Sequence, residues 1–191
     1  KEHRAGLWIL TILYAGLRPG ETAALSWKDI DFDRNEIHVY KAIESGTKTV
    51  KAPKTPAGVR DIPMRQELRE GLPDDLVFPA PAGGVRSANS LQRLWGSFAH
   101  ALDLHMGAKV QDGVITKHAL APDLTPYCLR HTFCTDLQRA GVPINVAKEL
   151  MGHANISVTA NIYTHRDQKV LHSNMAKLNP NGRKPSTKPR P

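Results

Sequence analysis

Four side chains in this sequence have the types needed for chemistry on a phosphodiester, although they lie far apart along the chain. Arg18 lies in a Gly-Leu-Arg-Pro-Gly-Glu segment and Arg130 in a Leu-Arg-His-Thr-Phe segment. His153 ends a Leu-Met-Gly-His segment, and Tyr163 follows it by ten residues. A guanidinium presents a rigid fork of N–H donors that matches a phosphate, and a phenol can attack phosphorus. The combination predicts chemistry on a phosphate, with the two arginines as the candidates to neutralise its charge.

Each of these residues also has an ordinary structural interpretation when it is considered alone. Most arginines pair with a carboxylate or cap a helix at the surface, and a tyrosine on an amphipathic helix usually packs in a core. A histidine that follows a glycine can cap a helix. The motifs around the four residues favour the catalytic interpretation, in which the four side chains converge on the phenol of Tyr163.

Helical periodicity surrounds the segments that must position these side chains. Gly16 should end the first helix, and Pro19 can open the second. Thr125 suits an N-cap, with Pro126 at the first helical position and Gly141 as C-cap, which predicts a helix of about four turns that carries Arg130. The spacing of apolar residues predicts the remaining helices, over about 2–15, 66–71, 90–104, 143–151, 157–163 and 167–177.

Alternating patterns predict three short strands around residues 37–40, 47–51 and 59–63. Residues 54–58 would turn between the last two strands and carry Lys54 at a hairpin. The mixed stretch 105–122 is interpreted as a loop insertion. The predicted fold class is therefore mainly α with a small three-stranded antiparallel β-sheet.

Composition favours a polyanionic partner and an intracellular setting. Lys plus Arg number 26 against 18 for Asp plus Glu, a formal net charge of +8, although many basic proteins bind no nucleic acid. Cys128 and Cys134 lie six apart on one predicted helix, so we expect no disulfide between them. The nine histidines are not spaced as metal ligands, so we expect no metal or other cofactor. No apolar run of about 18 residues predicts a membrane span.

Taken together, these motifs resemble the catalytic domain of the tyrosine recombinases, the phage and transposon integrase family. The resemblance covers nearly the whole chain through Tyr163. It implies that Arg18 and Arg130 bind the scissile phosphate, with Glu21 as the acidic companion of the first, and that His153 contacts a nonbridging oxygen or assists proton transfer. Tyr163 would form a 3′-phosphotyrosyl link, which implies site-specific recombination that integrates or excises a mobile element.

The resemblance also implies a general acid on the strand hairpin. Lys54 has the family's spacing to the Arg60-Asp61-Ile62-Pro63 segment and would protonate the departing 5′-oxygen. Lys48 and Lys51 are nearby competitors for this role, and with Arg60 and His131 they form the set expected to contact DNA. A solvated lysine is the alternative for Lys54, and structural hydrogen bonding is the alternative for His131.

One position departs from the family's usual pattern. Three residues before the second arginine, where relatives usually have histidine or lysine, this chain has Tyr127. Residues three apart share a helix face, so Tyr127 should lie beside Arg130 and contact the phosphate, with simple packing as the alternative. A neutral phenol is a poor proton shuttle, so the group that takes the Tyr163 proton stays open.

For the assembly, the resemblance implies double-stranded attachment sites bound by four protomers that exchange their C-terminal helices. Val170, Leu171, Met175 and Leu178 form an apolar stripe that needs a groove, on a neighbour or on the same domain. Accessory excision or DNA-bending proteins are candidate partners, and the implied location is the bacterial cytoplasm, at the nucleoid.

Residues 1–178 should form the catalytic domain and residues 179–191, rich in Pro, Lys and Arg, a disordered tail. The N-terminal DNA-binding domains of relatives are expected to be missing from this sequence. Two alternative functions remain, a DNA-binding regulator without catalysis and a type IB topoisomerase. The presence of both arginines, His153 and Tyr163 disfavours the first, and the compact spacing between them disfavours the second.

Overall fold

The computed structural model describes residues 3–44, 49–71 and 86–163. Helices dominate this part of the chain, and short strands connect them. The helices are α1 (Gly6–Ala15), α2 (Pro19–Ala24), α3 (Gln66–Gly71), α4 (Ala88–His105), α5 (Pro126–Arg139), α6 (Ile144–Met151) and α7 (Ile156–Tyr163). The strands are β1 (Ile30–Asp31), β2 (Glu36–Val39), β3 (Ala42–Ile43), β4 (Val50–Lys51), β5 (Arg60–Pro63), β6 (Lys109–Gln111) and β7 (Val114–Lys117). No helix within these ranges is long and apolar enough to cross a membrane.

The strands form a three-stranded antiparallel sheet in the order β1-β2-β5 and two separate antiparallel pairs, β3-β4 and β6-β7. The predicted fold class, mainly helical with a small three-stranded sheet, is confirmed. The prediction was wrong about one member, because Val50 and Lys51 pair with β3 and β1 supplies the third strand. Both β4 residues are exposed, so their alternation buries no side chain. Ile37 and Ile62 of the sheet face each other and are buried.

Residues 105–122, interpreted as a loop insertion, contain the hairpin β6-β7. Its strands are joined by Asp112 (φ +51°) and Gly113 (φ +78°). Two central residues with positive φ are what a type I′ hairpin turn requires, and Asp-Gly is a favoured pair for it. The strands themselves are mostly exposed. They therefore lack the regular alternation of apolar and polar residues that predicts a half-buried strand.

Helix α1 packs against α5 and belongs to two buried clusters, one shared with the three-stranded sheet and one shared with α2, β3 and α4. Trp8, Ile12 and Leu17 are fully buried. Gly16 caps α1 in the left-handed region (φ +63°), as predicted, and a Cβ there would lie 2.2 Å from the Phe133 ring of α5. This close approach brings the residues after α1 against the helix that carries Arg130.

Helix α5 begins after Thr125 with Pro126 at its first position, as the sequence predicts. Its C-cap is Ala140, one residue before the predicted Gly141. Gly141 follows the cap with a positive φ of +75°. The two thiols on this helix, Cys128 and Cys134, are both free.

Candidate active site

A buried carboxylate, Glu21, organises the first part of the site. Its side chain is 2% exposed and lies between two arginines: Arg18 Nη1 is 2.7 Å from Oε1, and Arg60 Nη2 is 3.0 Å from Oε2. Burial raises the pKa of the Glu21 carboxyl, but hydrogen bonds and charges from Arg60 and Arg18 outweigh it and hold the pKa below its usual value. Glu21 is therefore ionised at neutral pH and fixes both guanidinium groups.

The local sequence explains why Arg18 and Glu21 meet. Pro19 opens α2 and keeps Arg18 extended (φ −68°, ψ 148°), because a residue before proline avoids the helical region. Glu21 reaches back from the first turn, and its Oε2 accepts the Arg18 main-chain N–H at 2.8 Å. Gly20 allows α2 to sit against β3, since a Cβ there would lie 2.8 Å from the Ile43 carbonyl oxygen.

Arg130 is held by main-chain oxygens instead of a carboxylate. Its side chain extends from α5 into the core, where the residue is 4% exposed. Nη1 donates to the Gly16 carbonyl and Nη2 to the Met151 carbonyl. Burial and the nearby positive charges of Arg18 and Arg60, partly offset by Glu21, lower the pKa of Arg130 to about 9. The guanidinium still carries its proton at neutral pH.

Three successive carbonyls, those of residues 150–152 at the end of α6, bind the three arginines. The first accepts Arg60 Nε at 2.8 Å, the second accepts Arg130, and the third accepts Arg18 Nη2 at 2.8 Å. The last carbonyls of a helix lack intrahelical partners and carry the negative end of its dipole, so they suit cations. Gly152 ends the helix in the left-handed region (φ +62°), and a Cβ there would lie 2.7 Å from Arg60 Nη1.

His153 follows this glycine and is 9% exposed. Its Nδ1 lies 2.9 Å from the hydroxyl of Thr159, a fully buried residue of α7. Burial is the largest cause that lowers the His153 pKa to about 4, and the charges of Arg130, Arg18 and Arg60 add to it. The imidazole is therefore neutral at physiological pH and can donate or accept a hydrogen bond without carrying charge.

Tyr163, the last residue of α7, faces a different part of the molecule. Its hydroxyl donates to the Val142 carbonyl at 3.4 Å, and its own carbonyl accepts Gln138 Nε2 at 2.8 Å. Burial, and to a lesser degree Cys134, raises the pKa of Tyr163 to about 12. The structure thus gathers Arg18, Arg130 and His153 into one cluster with Arg60 and Glu21, and it places the phenol outside that cluster.

The remaining predicted site residues are mostly exposed. Lys54 lies in a bend after β4, and because β4 and β5 belong to different sheets it is not at a hairpin as predicted. Tyr127 is 53% exposed in the first turn of α5, three residues before Arg130 on the same helix. His131 is exposed and contributes to the lowered His153 pKa.

The residues expected to contact DNA fall into different environments. Lys51 Nζ pairs with Glu44 Oε2 at 2.8 Å on the surface. Lys48 lies outside the described residues. Arg60 corrects the sequence interpretation most clearly, because its side chain is 6% exposed and donates to Glu21 and to main-chain carbonyls instead of facing solvent. The sequence contains little sign of this position. Arg60 is buried because it pairs with Glu21, and Glu21 lies 39 residues earlier in the chain.

A groove of about 350 Å³ opens beside His153, between β5 and α6. Its lining includes Arg60, Asp61, Lys148, Glu149 and His153. Within residues 3–44, 49–71 and 86–163, no group of three His, Cys, Asp or Glu side chains is arranged to hold a metal ion.

Comparisons with known proteins identify the family to which this chain is related. The sequence matches the family described as "Phage integrase family" over residues 2–169. A tyrosine recombinase XerC-like protein of Caldanaerobacter subterraneus subsp. tengcongensis is 32% identical over 183 residues, which is 86% of this chain and 46% of that protein. The transposase from transposon Tn916 of Enterococcus faecalis is 28% identical over 182 residues, covering 90% of this chain and 44% of the transposase.

Among solved structures, the Tn1549 transposon integrase in complex with transposon right end DNA matches this chain with a TM-score of 0.71 and 28% identity. The match covers 92% of this chain and 58% of the integrase. The chain therefore spans about half the length of the relatives that it resembles.

Proposed function

Because this chain belongs to the phage integrase family, we propose that it is the catalytic part of a tyrosine recombinase that cuts and rejoins DNA at specific sites to integrate or excise a mobile element. The observation that carries the proposal is the cluster of Arg18, Arg130 and His153 around the end of α6. Relatives named as a recombinase, a transposase and a transposon integrase support the substrate class. Two arginines placed together are what a phosphodiester in a pentavalent transition state needs.

The arginine cluster would act as the phosphate-binding half of the reaction. The Arg18 side chain is 35% exposed, so it can donate to a nonbridging oxygen from its fixed position on Glu21. Arg130 is deeper and retains N–H donors beyond the two that bind main-chain oxygens. His153, neutral because its pKa lies near 4, would donate to the second nonbridging oxygen or accept a proton. Tyr127 would approach the same phosphate from the first turn of α5.

In the proposed reaction the Tyr163 oxygen forms a bond to phosphorus, and the bond between phosphorus and the 5′-oxygen breaks. The phenol gives up its proton to a base, and Lys54 gives a proton to the departing 5′-oxygen. The phosphotyrosyl link preserves the energy of the phosphodiester, so a 5′-hydroxyl can reseal the strand without ATP. The phenol, with a pKa near 12 where it rests, must move toward the cations before it can lose its proton readily.

We also propose that protomers assemble as tetramers on double-stranded attachment sites and exchange C-terminal helices. The stripe formed by Val170, Leu171, Met175 and Leu178 lies outside the described residues. A groove of about 480 Å³ on the described part has a matching apolar lining, which includes Tyr14, Ile62, Phe133, Leu137 and Leu150. Action on element DNA would take place in the bacterial cytoplasm, with accessory excision or DNA-bending proteins as further partners.

The function is tested with a suicide duplex that carries the joined ends of the element. Incubation in EDTA, followed by denaturing electrophoresis, should yield a covalent protein–DNA adduct that is absent in Tyr163→Phe. An adduct that persists in Tyr163→Phe would exclude this nucleophile. Binding without any adduct would favour a regulator, and supercoil relaxation without recombinant product would favour a topoisomerase.

Helix exchange has its own test, in which the chain is truncated after residue 166 and sedimentation is measured with attachment-site DNA. We expect the truncated chain to bind DNA but to lose the tetramer. A tetramer that persists after the truncation would contradict the exchange.

A further inference from the structure

One face of α5 connects the two halves of the site. Arg130, Cys134 and Gln138 follow one another at intervals of four residues, so they lie along the same side of the helix. At one end Arg130 enters the arginine cluster. At the other end the Gln138 amide donates to the Tyr163 carbonyl at 2.8 Å.

The contact with Gln138 joins α5 to Tyr163, the last described residue of α7. The Tyr163 ring meanwhile packs against the cluster formed by Phe133, Cys134 and Met151. Its hydroxyl reaches only the Val142 carbonyl, at 3.4 Å, which is long for an O–H···O bond. Of these two hydrogen bonds between Tyr163 and residues outside α7, the one from Gln138 is therefore the shorter.

We propose that Gln138 is a positioning residue for the nucleophile: its amide holds the last turn of α7 so that the Tyr163 ring rests away from the arginine cluster. The contact must break before the phenol reaches the phosphate. Gln138 thereby sets the fraction of protein that is ready to cleave. The inference rests on the proposed function for its consequence in catalysis, but the tether itself can be measured without DNA.

The direction of the effect follows from what each end of the contact does. In the proposed movement the last turn of α7 travels with the phenol toward the arginines, so the tether stabilises only the resting position. The net contribution of one hydrogen bond corresponds to about a 2–10-fold change in a population ratio. Loss of the amide donor should therefore raise the population of released Tyr163 by about that factor.

Two substitutions separate the donor from the shape of the side chain. Gln138→Met keeps the length but removes the N–H, and Gln138→Lys keeps a donor on a chain of similar length. Gln138→Glu provides a second side chain without a donor at neutral pH, in case the methionine variant does not fold. Gln66→Met is the matched control, because the Gln66 amide also donates a single hydrogen bond, to Glu70 Oε1 at 2.7 Å, on exposed helix α3.

The first measurement is made without DNA. Tetranitromethane nitrates accessible tyrosines, and peptide mass spectrometry gives the rate at Tyr163 relative to the exposed Tyr127 in the same molecule. We expect this ratio to rise about 2–10-fold in Gln138→Met and Gln138→Glu. It should stay near the native value in Gln138→Lys and Gln66→Met.

The second measurement is single-turnover adduct formation on the suicide duplex at saturating protein. The rate should rise by a similar factor in Gln138→Met while the affinity for DNA stays unchanged, and Gln138→Lys should restore the native rate. An unchanged nitration ratio in both donor-free variants, or a rate that falls with them, would overturn the tether. A raised nitration ratio with no adduct in any protein would support the tether and count against the proposed recombinase function.

Discussion

The ends of two neighbouring helices, α6 and α7, are stabilised in very different ways. At the end of α6 three successive carbonyls bind three arginines, and the buried carboxylate of Glu21 pairs with two of these arginines, Arg18 and Arg60. At the end of α7 one side-chain amide binds the Tyr163 carbonyl, and the phenol has a single long hydrogen bond. The comparison indicates that the arginine cluster is rigidly fixed and that Tyr163, the proposed nucleophile, is held by fewer contacts.

The largest effect is expected from removing the deepest cation. Arg130→Met keeps a long side chain but deletes the charge that α5 brings to the carbonyls of Gly16 and Met151. We expect adduct formation to slow by about 10²–10³-fold, as for the loss of one preorganised donor in a transition state. The measurement is single-turnover cleavage of the suicide duplex.

Arg139→Met is the matched control for Arg130→Met, since Arg139 lies on the same helix with its side chain 76% exposed. It should cleave at the native rate. Equal losses in the two variants would show that the preorganised cluster has no special role.

The next effect concerns the carboxylate that joins two of the arginines. Glu21→Gln removes a buried charge with two cationic partners, so the free energy of unfolding at pH 7 should fall by about 2–3 kcal/mol. Urea denaturation checks it. The exposed pair Glu67–Arg65 provides the control, because Glu67→Gln should cost no more than about 1 kcal/mol.

The Glu21 effect should also depend on pH in a defined direction. The pKa of Glu21 is lowered in the folded protein, so its contribution is complete above the pKa of the unfolded chain, about 4.3, and is lost as pH falls through the folded value. The stability difference between native and Glu21→Gln protein should therefore narrow below about pH 4. A difference that stays constant from pH 7 to pH 3 would contradict a charged Glu21.

The difference between two glycine substitutions separates backbone strain from the packing of the arginines. Gly152 and Gly141 both have positive φ, but a Cβ would meet Arg60 only at Gly152, and nothing lies within 4 Å at Gly141. Gly141→Ala should cost about 1–2 kcal/mol of stability through strain alone. Gly152→Ala should cost about 1–3 kcal/mol more because Arg60 must move. Thermal or urea unfolding measures both, and equal costs would show that Arg60 is free to shift.

The smallest effect tests the hydrogen bond between α7 and the histidine that follows α6. Thr159 of α7 bonds His153 Nδ1, so Thr159→Val should slow adduct formation by about 2–10-fold by freeing the ring. Thr135→Val is the control, because that hydroxyl donates only to the His131 carbonyl in its own helix. With a pKa near 4, His153 should add no inflection to the rate between pH 6 and 8. An inflection lost in Thr159→Val would contradict a neutral imidazole.

The helices were largely predictable because their ends carry local chemistry. Gly16, Pro19, Thr125 and Pro126 each act through their own backbone, so the sequence indicates their positions. The short strands were less predictable, since a two-residue strand such as β4 has no pattern that identifies its partner. The β6-β7 hairpin was missed although Asp112 and Gly113 favour a turn, because the strands beside them bury almost nothing.

The sequence by itself determined the family, because the motifs around two arginines, a histidine and a tyrosine are specific to it. Only the tertiary structure decided that Arg60 belongs with Arg18 and Arg130, and that Tyr163 rests against Val142. The physical reason is the same in both cases. Every residue has a main-chain carbonyl, so hydrogen bonds to those carbonyls leave no mark on the sequence, and only the folded chain selects which of them bind.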